Sequence, residues 1–170
     1  TYPLLNALMA DSGRAGKPQI MDSKGIDALE KQGWQIQYRG VGSKFVTDLF
    51  RDQDTYEDKG TGARLYGQGV YIQTSKVGAS GYGSHILRMA IPKDAKVITV
   101  TKLQAKKLVQ KNKIRTDTTL LQSQKDRLID MLDDDGLFAL INNYDVIDCQ
   151  SSGYHVLLNR SMVAVQDKDV

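Results

Sequence analysis

The order in which two apolar periodicities follow one another constrains this chain more than any other feature. Residues 1–33 are spaced as in a helix, residues 34–40 alternate apolar and polar side chains, and residues 101–141 return to helical spacing. A period of about 3.6 residues is typical of an amphipathic helix, and a period of two is typical of a half-buried strand. The remaining alternating segments are grouped before and after residues 101–141, so the order predicts an α+β fold and excludes a doubly wound one.

The same patterns predict the individual elements. We predict helices in residues 4–10, 25–33 and 42–52, two packing helices within 101–141, and strands at 34–40, 70–75, 85–92, 96–100, 144–149, 154–159 and 162–165. Asp22 and Ser23 are candidate N-caps, and Phe45 is expected on the buried face of its helix with Phe50. Residues 52–69 have no apolar period and are expected to form a loop, and Asp133–Asp135 are expected to form a helix end and turn.

Composition excludes several classes of protein. The 170 residues are 41% apolar and 25% charged, which suits one compact domain with a sizeable core. A single cysteine, Cys149, excludes a disulfide scaffold and a cysteine-rich metal site, and we expect it to be a small apolar core residue. The net charge of +3 is too balanced to indicate nucleic-acid binding by itself. No apolar run is long enough to cross a membrane and no secretory leader is recognisable, so we expect a soluble chain without membrane partners.

The segment from Gly67 to Tyr82 carries the most information about function. Gly67 and Gly69, separated by one residue, allow a close approach of the backbone to a ligand. Tyr71 and Tyr82 stand eleven residues apart with only small or polar residues just before the second. A strand, a turn and a short helix could bring these two rings opposite one another, which is the geometry that holds a flat heteroaromatic ring.

This segment resembles the catalytic core of the ADP-ribosyltransferase superfamily, especially its poly-ADP-ribose-polymerase-like branch, whose signature is a Gly-x-Gly-x-Tyr strand followed by a helix tyrosine. Upstream, Tyr38-Arg39-Gly40 resembles the Tyr-Arg-Gly strand end of the arginine-type branch and of phage-borne relatives. Downstream, residues 144–165 resemble the paired closing strands of those relatives. The resemblance implies a split, mainly antiparallel sheet with flanking and inserted helices, in one domain over residues 1–170. Residues 1–33 would be its N-terminal helical segment and 34–165 its catalytic-type core.

The resemblance also implies roles for particular residues, with NAD as the cofactor. Gly40 would present its backbone to the nicotinamide carboxamide, and Arg39 would hold the pyrophosphate or the adjoining ribose. Tyr71 and Tyr82 would stack on nicotinamide. The two-tyrosine branch carries a histidine where this chain has Arg39 and a serine where it has Ala79, so the amide contact would be weaker or would be completed by Ser75 or Ser80.

The glutamate that the family places at the start of its last core strand is absent, and Tyr154 aligns there. A phenol is neutral at pH 7 and cannot supply the same electrostatic stabilisation. Gln150, Asp148 and Asp145 are nearby alternatives, with Asp148 preferred among the carboxylates. Asp145 shares one strand face with Cys149 whereas Asp148 points the other way, and the sequence leaves open which face looks at the site.

Three further features have alternative interpretations. The basic segment Lys102–Arg115 is either a solvated helix face or a docking surface for an acidic partner. His85 and His155 are expected to be structural, with His155 a minor candidate for a ribose contact because it adjoins Tyr154. Asp133–Asp135 lack the alternating ligand spacing of a calcium loop, and no metal site is expected.

The expected function is that of a mono-ADP-ribosyltransferase that modifies a macromolecule, a protein rather than a nucleic acid. It would act as a phage-associated or bacterial effector in the cytosol of its producer or of a host cell, or as a virion component. The alternative is a protein of the same fold that has lost catalysis and serves as a virion component or as a binder of NAD or ADP-ribose. An RNA-directed relative that uses the basic segment is a third hypothesis.

Overall fold

A computed structural model describes residues 2–52, 66 and 69–170. The helices are α1 (Tyr2–Asp11), α2 (Ser23–Lys31), α3 (Lys44–Asp52), α4 (Lys76–Ser80), α5 (Val100–Thr116), α6 (Gln122–Asp133) and α7 (Asp135–Ile141). The strands are β1 (Gln19–Met21), β2 (Gln35–Val41), β3 (Val70–Gln73), β4 (His85–Ile91), β5 (Val97–Thr99), β6 (Val146–Asp148), β7 (Tyr154–Leu157) and β8 (Ala164–Gln166). This mixed composition confirms the predicted α+β class.

The strands form one eight-stranded sheet in the order β1-β8-β4-β2-β3-β7-β6-β5. The two outermost pairs, β1 with β8 and β5 with β6, are parallel. The inner pairs are antiparallel, so the sheet is mostly antiparallel as predicted. Strand β1 lies in a segment predicted to be helical, and its three residues, Gln19–Met21, are too few to produce an alternating pattern.

The core is divided between two clusters of buried residues. The larger one takes side chains from the central strands and from α1, α3, α5 and α7, including Met9, Phe50 and Phe138. The smaller one lies under α2, where Ile26 packs with Ala90 and Ala164 at 0% exposure. Asp22 caps α2 by accepting a hydrogen bond from the Gly25 N–H at 2.8 Å, as its position before the helix predicts.

Two helices differ from the sequence-based predictions. The buried residues of α3 are Thr47, Phe50 and Arg51, whereas Phe45 is 63% exposed, so its predicted burial is wrong. The Arg51 guanidinium turns inward because it donates to Asp48, Asp169 and the Gln166 carbonyl. The predicted turn near Asp135 is the start of α7, which Asp134 caps by accepting from the Leu137 N–H at 3.0 Å.

Among the described residues, no helix combines the length and the apolar character that crossing a bilayer requires. The predicted loop at residues 52–69 lies almost entirely outside the described residues.

Candidate functional site

The ladder between β2 and β3, at the centre of the sheet, is short and stops near Gly40. Strand β2 pairs with β4 along its whole length, from Gln35 to Val41, but pairs with β3 only at Tyr38 and Gln73. Beyond Tyr38 the β3 side of β2 therefore has no ladder partner from β3. Strand β3 continues to pair with β7 over Val70–Gln73. We call the place where this ladder stops, at the strand end that carries Arg39 and Gly40, the opening between β2 and β3.

Helix α4 lies directly against the β2 strand at this opening. A Cβ added to Gly40 would meet the Ala79 carbonyl oxygen at 1.8 Å, so only glycine allows the helix to sit this close. Ser75 begins the helix as its N-cap and accepts from the Gly78 N–H at 3.0 Å. Its hydroxyl therefore has a structural partner, and Ala79, at the position where the related branch has a serine, is completely buried.

Gly69, the described glycine of the Gly-x-Gly pair, is also explained by packing. Its φ of +150° is rare for other residues, and a Cβ there would meet Val156 Cγ1 of β7 at 2.2 Å. Gly67 lies outside the described residues.

Tyrosine rings from three segments meet on one face of β3 and β7. Tyr71 pairs across the ladder with Val156 and Gln73 pairs with Tyr154, so Tyr71 and Tyr154 point to the same side. Their ring centroids are 5.8 Å apart, and the Tyr66 ring lies 6.1 Å from that of Tyr154. The Tyr66 N–H donates to the Tyr71 hydroxyl at 2.8 Å. The ring beside Tyr71 is thus Tyr154, and Tyr66 is a member of the cluster that sequence analysis missed because it precedes the motif.

Tyr82 stands at the edge of this cluster. It follows α4 and is 63% exposed, so its ring is available from solvent. Its phenol is near enough to contribute to the raised pKa of Tyr154. Because α4 is fixed on β2 through Ala79 and Gly40, the position of Tyr82 relative to the opening is set by that contact.

The phenols of Tyr71 and Tyr154 are neutral at physiological pH. Burial is the main cause that raises the pKa of Tyr71 far above its ordinary value of 10, and burial also raises that of Tyr154. Beneath them, burial raises the pKa of the Cys149 thiol to about 12, which leaves the thiol protonated and supports its interpretation as a core residue. These groups can stack and form hydrogen bonds, but they cannot act as anions at neutral pH.

Arg39 crosses the opening from the other face of β2. Its side chain is 9% exposed, and Nη1 donates to the Tyr71 carbonyl at 3.1 Å. The guanidinium thus connects β2 to β3 just where their ladder stops. This contact positions Tyr71, and the phosphate or ribose contact that the resemblance implies for Arg39 stays a prediction.

Asp148 points away from the tyrosines. It pairs across the ladder with His155, whose neighbours Tyr154 and Val156 are on the opposite face. The Asp148 Oδ1 atom lies 3.4 Å from His155 Nε2 and also accepts from the Gln150 N–H at 2.8 Å. Burial lowers the pKa of His155, and the Asp148 carboxylate partly opposes that shift. The sequence did not decide which face of this strand adjoins the site. In the structure, the Asp148 side chain lies on the face of the sheet opposite to Tyr71.

The other two polar candidates also have structural contacts. Gln150 lies in a turn at φ +51°, and its Oε1 atom accepts from the Thr101 hydroxyl at 2.8 Å, which ties the turn to the first residues of α5. The Asp145 carboxylate accepts three hydrogen bonds, from Arg14 Nε, the Lys96 N–H and Asn159 Nδ2, at 2.9 to 3.1 Å. Of the three catalytic candidates Tyr154, Gln150 and Asp148, Tyr154 is the one whose ring contacts that of Tyr71, on the same face of the sheet.

In comparisons with known proteins, the chain matches no family model and no curated protein sequence.

Proposed function

We propose that this protein is an NAD-dependent mono-ADP-ribosyltransferase that binds nicotinamide at the opening between β2 and β3. The observation that carries the proposal is the single ladder pair joining β2 to β3, beside which Gly40, α4 and the tyrosine cluster converge. Main-chain groups beyond the last pair of a ladder can form hydrogen bonds with an amide, and aromatic rings provide surfaces for a flat pyridinium. The resemblance of residues 34–165 to the superfamily points to the same ligand.

In this proposal each site residue contacts a particular part of NAD or positions a residue that does. The main chain at Gly40 would bind the nicotinamide carboxamide, and the rings of Tyr71 and Tyr82 would enclose its pyridinium ring. Arg39 would keep Tyr71 in place through the Tyr71 carbonyl. Tyr154, which is neutral, would donate a hydrogen bond to a ribose hydroxyl.

The reaction would break the bond between the nicotinamide nitrogen and C1′ of the ribose. Nicotinamide leaves with the bonding electron pair and becomes neutral, while positive charge develops on the ribose. A nucleophilic atom of the acceptor then forms a bond to C1′ and loses its proton to solvent. A protein acceptor would approach from the exposed side of Tyr82.

A second candidate function is binding of NAD or ADP-ribose without transfer. The orientation of Asp148 favours it, because that carboxylate lies on the opposite face from the tyrosines and cannot stabilise charge among them. A neutral Tyr154 at the position of the family's glutamate favours it as well. Such a binder would serve in a virion or as a reader of ADP-ribose.

Ligand binding is tested first, by calorimetric titration of the full chain with NAD. Tyr82→Ala is the informative variant because the exposed ring can be removed without disturbing the core. We expect it to weaken binding by about 1 to 3 kcal/mol, the usual value of aromatic stacking on a base. Val77→Ala is the matched control, since Val77 is 82% exposed on α4, the helix that Tyr82 follows. Unchanged affinity in Tyr82→Ala, or no binding at all, would refute the proposed site.

Catalysis is tested by incubating the chain with labelled NAD and a cell lysate, while nicotinamide release and label transfer are followed. The enzyme proposal predicts both from the unmodified chain and a loss of both in Tyr154→Phe. The binder predicts that NAD binds intact, and that Tyr154→Glu, which restores a carboxylate at this position, gains nicotinamide release. Release that survives in Tyr154→Phe would exclude the role given to the phenol.

A further inference from the structure

The basic segment contains two kinds of lysine, which the sequence could not separate. Lys107 is buried and its ammonium lies 2.5 Å from an Asp135 carboxylate oxygen, and Lys111 is paired with Asp133. In contrast, Lys102, Lys106 and Lys113 are exposed. Within residues 2–52, 66 and 69–170 these three lysines form no ion pair. Among the described residues, α5 therefore carries paired lysines that hold α6 and α7 and also exposed lysines without a counter-ion.

A groove of about 350 Å³ lies between α5 and α7. Lys106 and Lys113 lie on its α5 wall, and Asn142 lies at the end of α7. Apolar atoms of Val109 and Phe138 line it between the two lysines. Phe138 is 3% exposed, whereas Val109 is 56% exposed, so a sizeable apolar side chain stands in solvent between two cations.

The spacing of these residues defines what fits the groove. Lys106 and Lys113 are seven residues apart, which places their Cα atoms about 10 Å from each other on one side of the helix. Val109 follows Lys106 by three residues and therefore lies between them on the same side. A complementary ligand would carry two carboxylates at a similar separation with an apolar side chain between them. An amphipathic helix with acidic residues seven positions apart has this arrangement.

We propose that the groove between α5 and α7 is a docking site for an acidic amphipathic helix of a protein partner. Charge complementarity with Lys106 and Lys113 selects an acidic ligand, and Val109 selects one with an apolar side chain at its centre. The lining residues of the groove do not include any member of the tyrosine cluster, so the proposal does not depend on binding or cleavage of NAD.

A protein partner fits this groove better than a nucleic acid does. Single-stranded nucleic acids bind where exposed aromatic rings stack on bases. The aromatic ring in the lining, Phe138, is buried by its neighbours and offers no face to a base. The exposed apolar contact is the aliphatic Val109, which suits a leucine or valine of a partner helix.

The test uses a fluorescein-labelled synthetic helical peptide of about 15 residues, long enough to form a helix, with two glutamates seven positions apart and leucines between them. Its binding to the full chain is measured by fluorescence anisotropy. We expect the double variant Lys106→Glu/Lys113→Glu to bind at least about tenfold more weakly, and a peptide with lysines in place of the glutamates to regain affinity for that variant.

The matched control is Lys24→Glu/Lys31→Glu, because these two exposed lysines are also seven residues apart on a helix and change the net charge equally. This control is expected to bind the peptide like the unmodified chain. Val109→Ser is expected to weaken binding about threefold or more without any change of charge. Thermal unfolding of each variant verifies that the fold is retained.

Three outcomes would overturn the proposal. One is an absence of peptide binding up to about 1 mM, the weak end of the range of specific association. Another is an equal loss of binding in both double lysine variants, which would indicate unspecific attraction. The third is that a single-stranded oligonucleotide displaces the peptide and binds Val109→Ser with full affinity, which would assign the surface to nucleic acid.

Discussion

At the scale of single residues, Gly40 and Gly42 lie two positions apart but face different surroundings. A Cβ at Gly40 would overlap the Ala79 main chain, whereas a Cβ at Gly42 would meet nothing within 4 Å. We expect Gly40→Ala to lower the free energy of unfolding by about 2 to 3 kcal/mol, because α4 must move away from β2. Gly42→Ala should change it by less than about 0.5 kcal/mol. Urea unfolding of the two variants measures the difference, and equal free energies of unfolding would show that α4 does not pack tightly against Gly40.

His155 gives the protein a dependence of stability on pH. Its pKa is lowered in the folded chain, so the unfolded chain takes up the proton first as the pH falls. The free energy of unfolding should therefore be unaffected by this group above the ordinary pKa of 6.5 and should decrease as the pH falls from there toward the lowered value.

Urea unfolding at about pH 7.5 and about pH 5.5 compares the unmodified chain with His155→Gln, which removes this part of the decrease. His85→Gln serves as the control because His85 lies on a different strand, 3.1 Å from Asp169. If His155→Gln loses as much stability on acidification as the unmodified chain, His155 is not the group responsible.

Residue patterns predicted some of the candidate site, and for physical reasons not all of it. Alternation along residues 144–149 predicted that Asp148 points to the other face from its neighbours in the strand, and the ladder pair of Asp148 with His155 confirms this. It could not say which face adjoins Tyr71, since that depends on the register between β6, β7 and β3. The Arg39 contact with the Tyr71 carbonyl was equally hidden, because it joins residues that are 32 positions apart.

At the scale of elements, the contact between α5 and α7 depends on one buried ion pair. Lys107 and Asp135 are less than one-tenth exposed, and removal of the ammonium would leave a buried carboxylate without its cation. We expect Lys107→Met to lower the free energy of unfolding by about 3 to 5 kcal/mol. The double variant Lys107→Met/Asp135→Leu should regain more than half of that loss, as an apolar pair of similar volume.

Lys111→Met is the corresponding control, since Lys111 pairs with Asp133 at the surface and the expected loss is at most about 1 kcal/mol. Thermal and urea unfolding can compare all three variants. If Lys107→Met and Lys111→Met had the same effect, burial would not determine the contribution of the pair.

Most elements were predicted from local patterns, including the three-residue strands β5 and β6, whereas α7 and β1 were missed. Strands β2 and β4 each have seven residues, and their alternation is visible in the sequence. Helix α7 was missed because all residues from Asp135 to Leu140 are buried, so it has no polar face to reveal a period. Strand β1 was missed because it pairs with β8, a contact that no local pattern encodes.

At the scale of the whole molecule, the first 33 residues contribute to the same sheet and core as the rest. Met9 and Ile26 are at most 1% exposed, β1 extends the sheet beside β8, and Arg14 bonds Asp145 at 2.9 Å. We expect a fragment of residues 34–170 to lose cooperative thermal unfolding as followed by circular dichroism, because these contacts would be replaced by exposed apolar surface.

In the intact sequence, Ile26→Ala is a milder test of how far stability depends on residues 1–33. As a large-to-small change in the core, it should lower the free energy of unfolding by about 2 to 5 kcal/mol. A fragment that unfolds as sharply as the longer chain would mean that residues 1–33 fold onto an already stable unit.

The strands at the two borders of the sheet are short, which limits how copies of this chain can aggregate. Strands β1 and β5 have three residues each, and each occupies one border of the sheet. A strand from another molecule that added to either border would find only a few main-chain positions for hydrogen bonds, whereas the longer strands β2 and β4 each have a neighbour on both sides in the strand order. The strand order thus places the longest strands inside the sheet and the shortest ones at its borders.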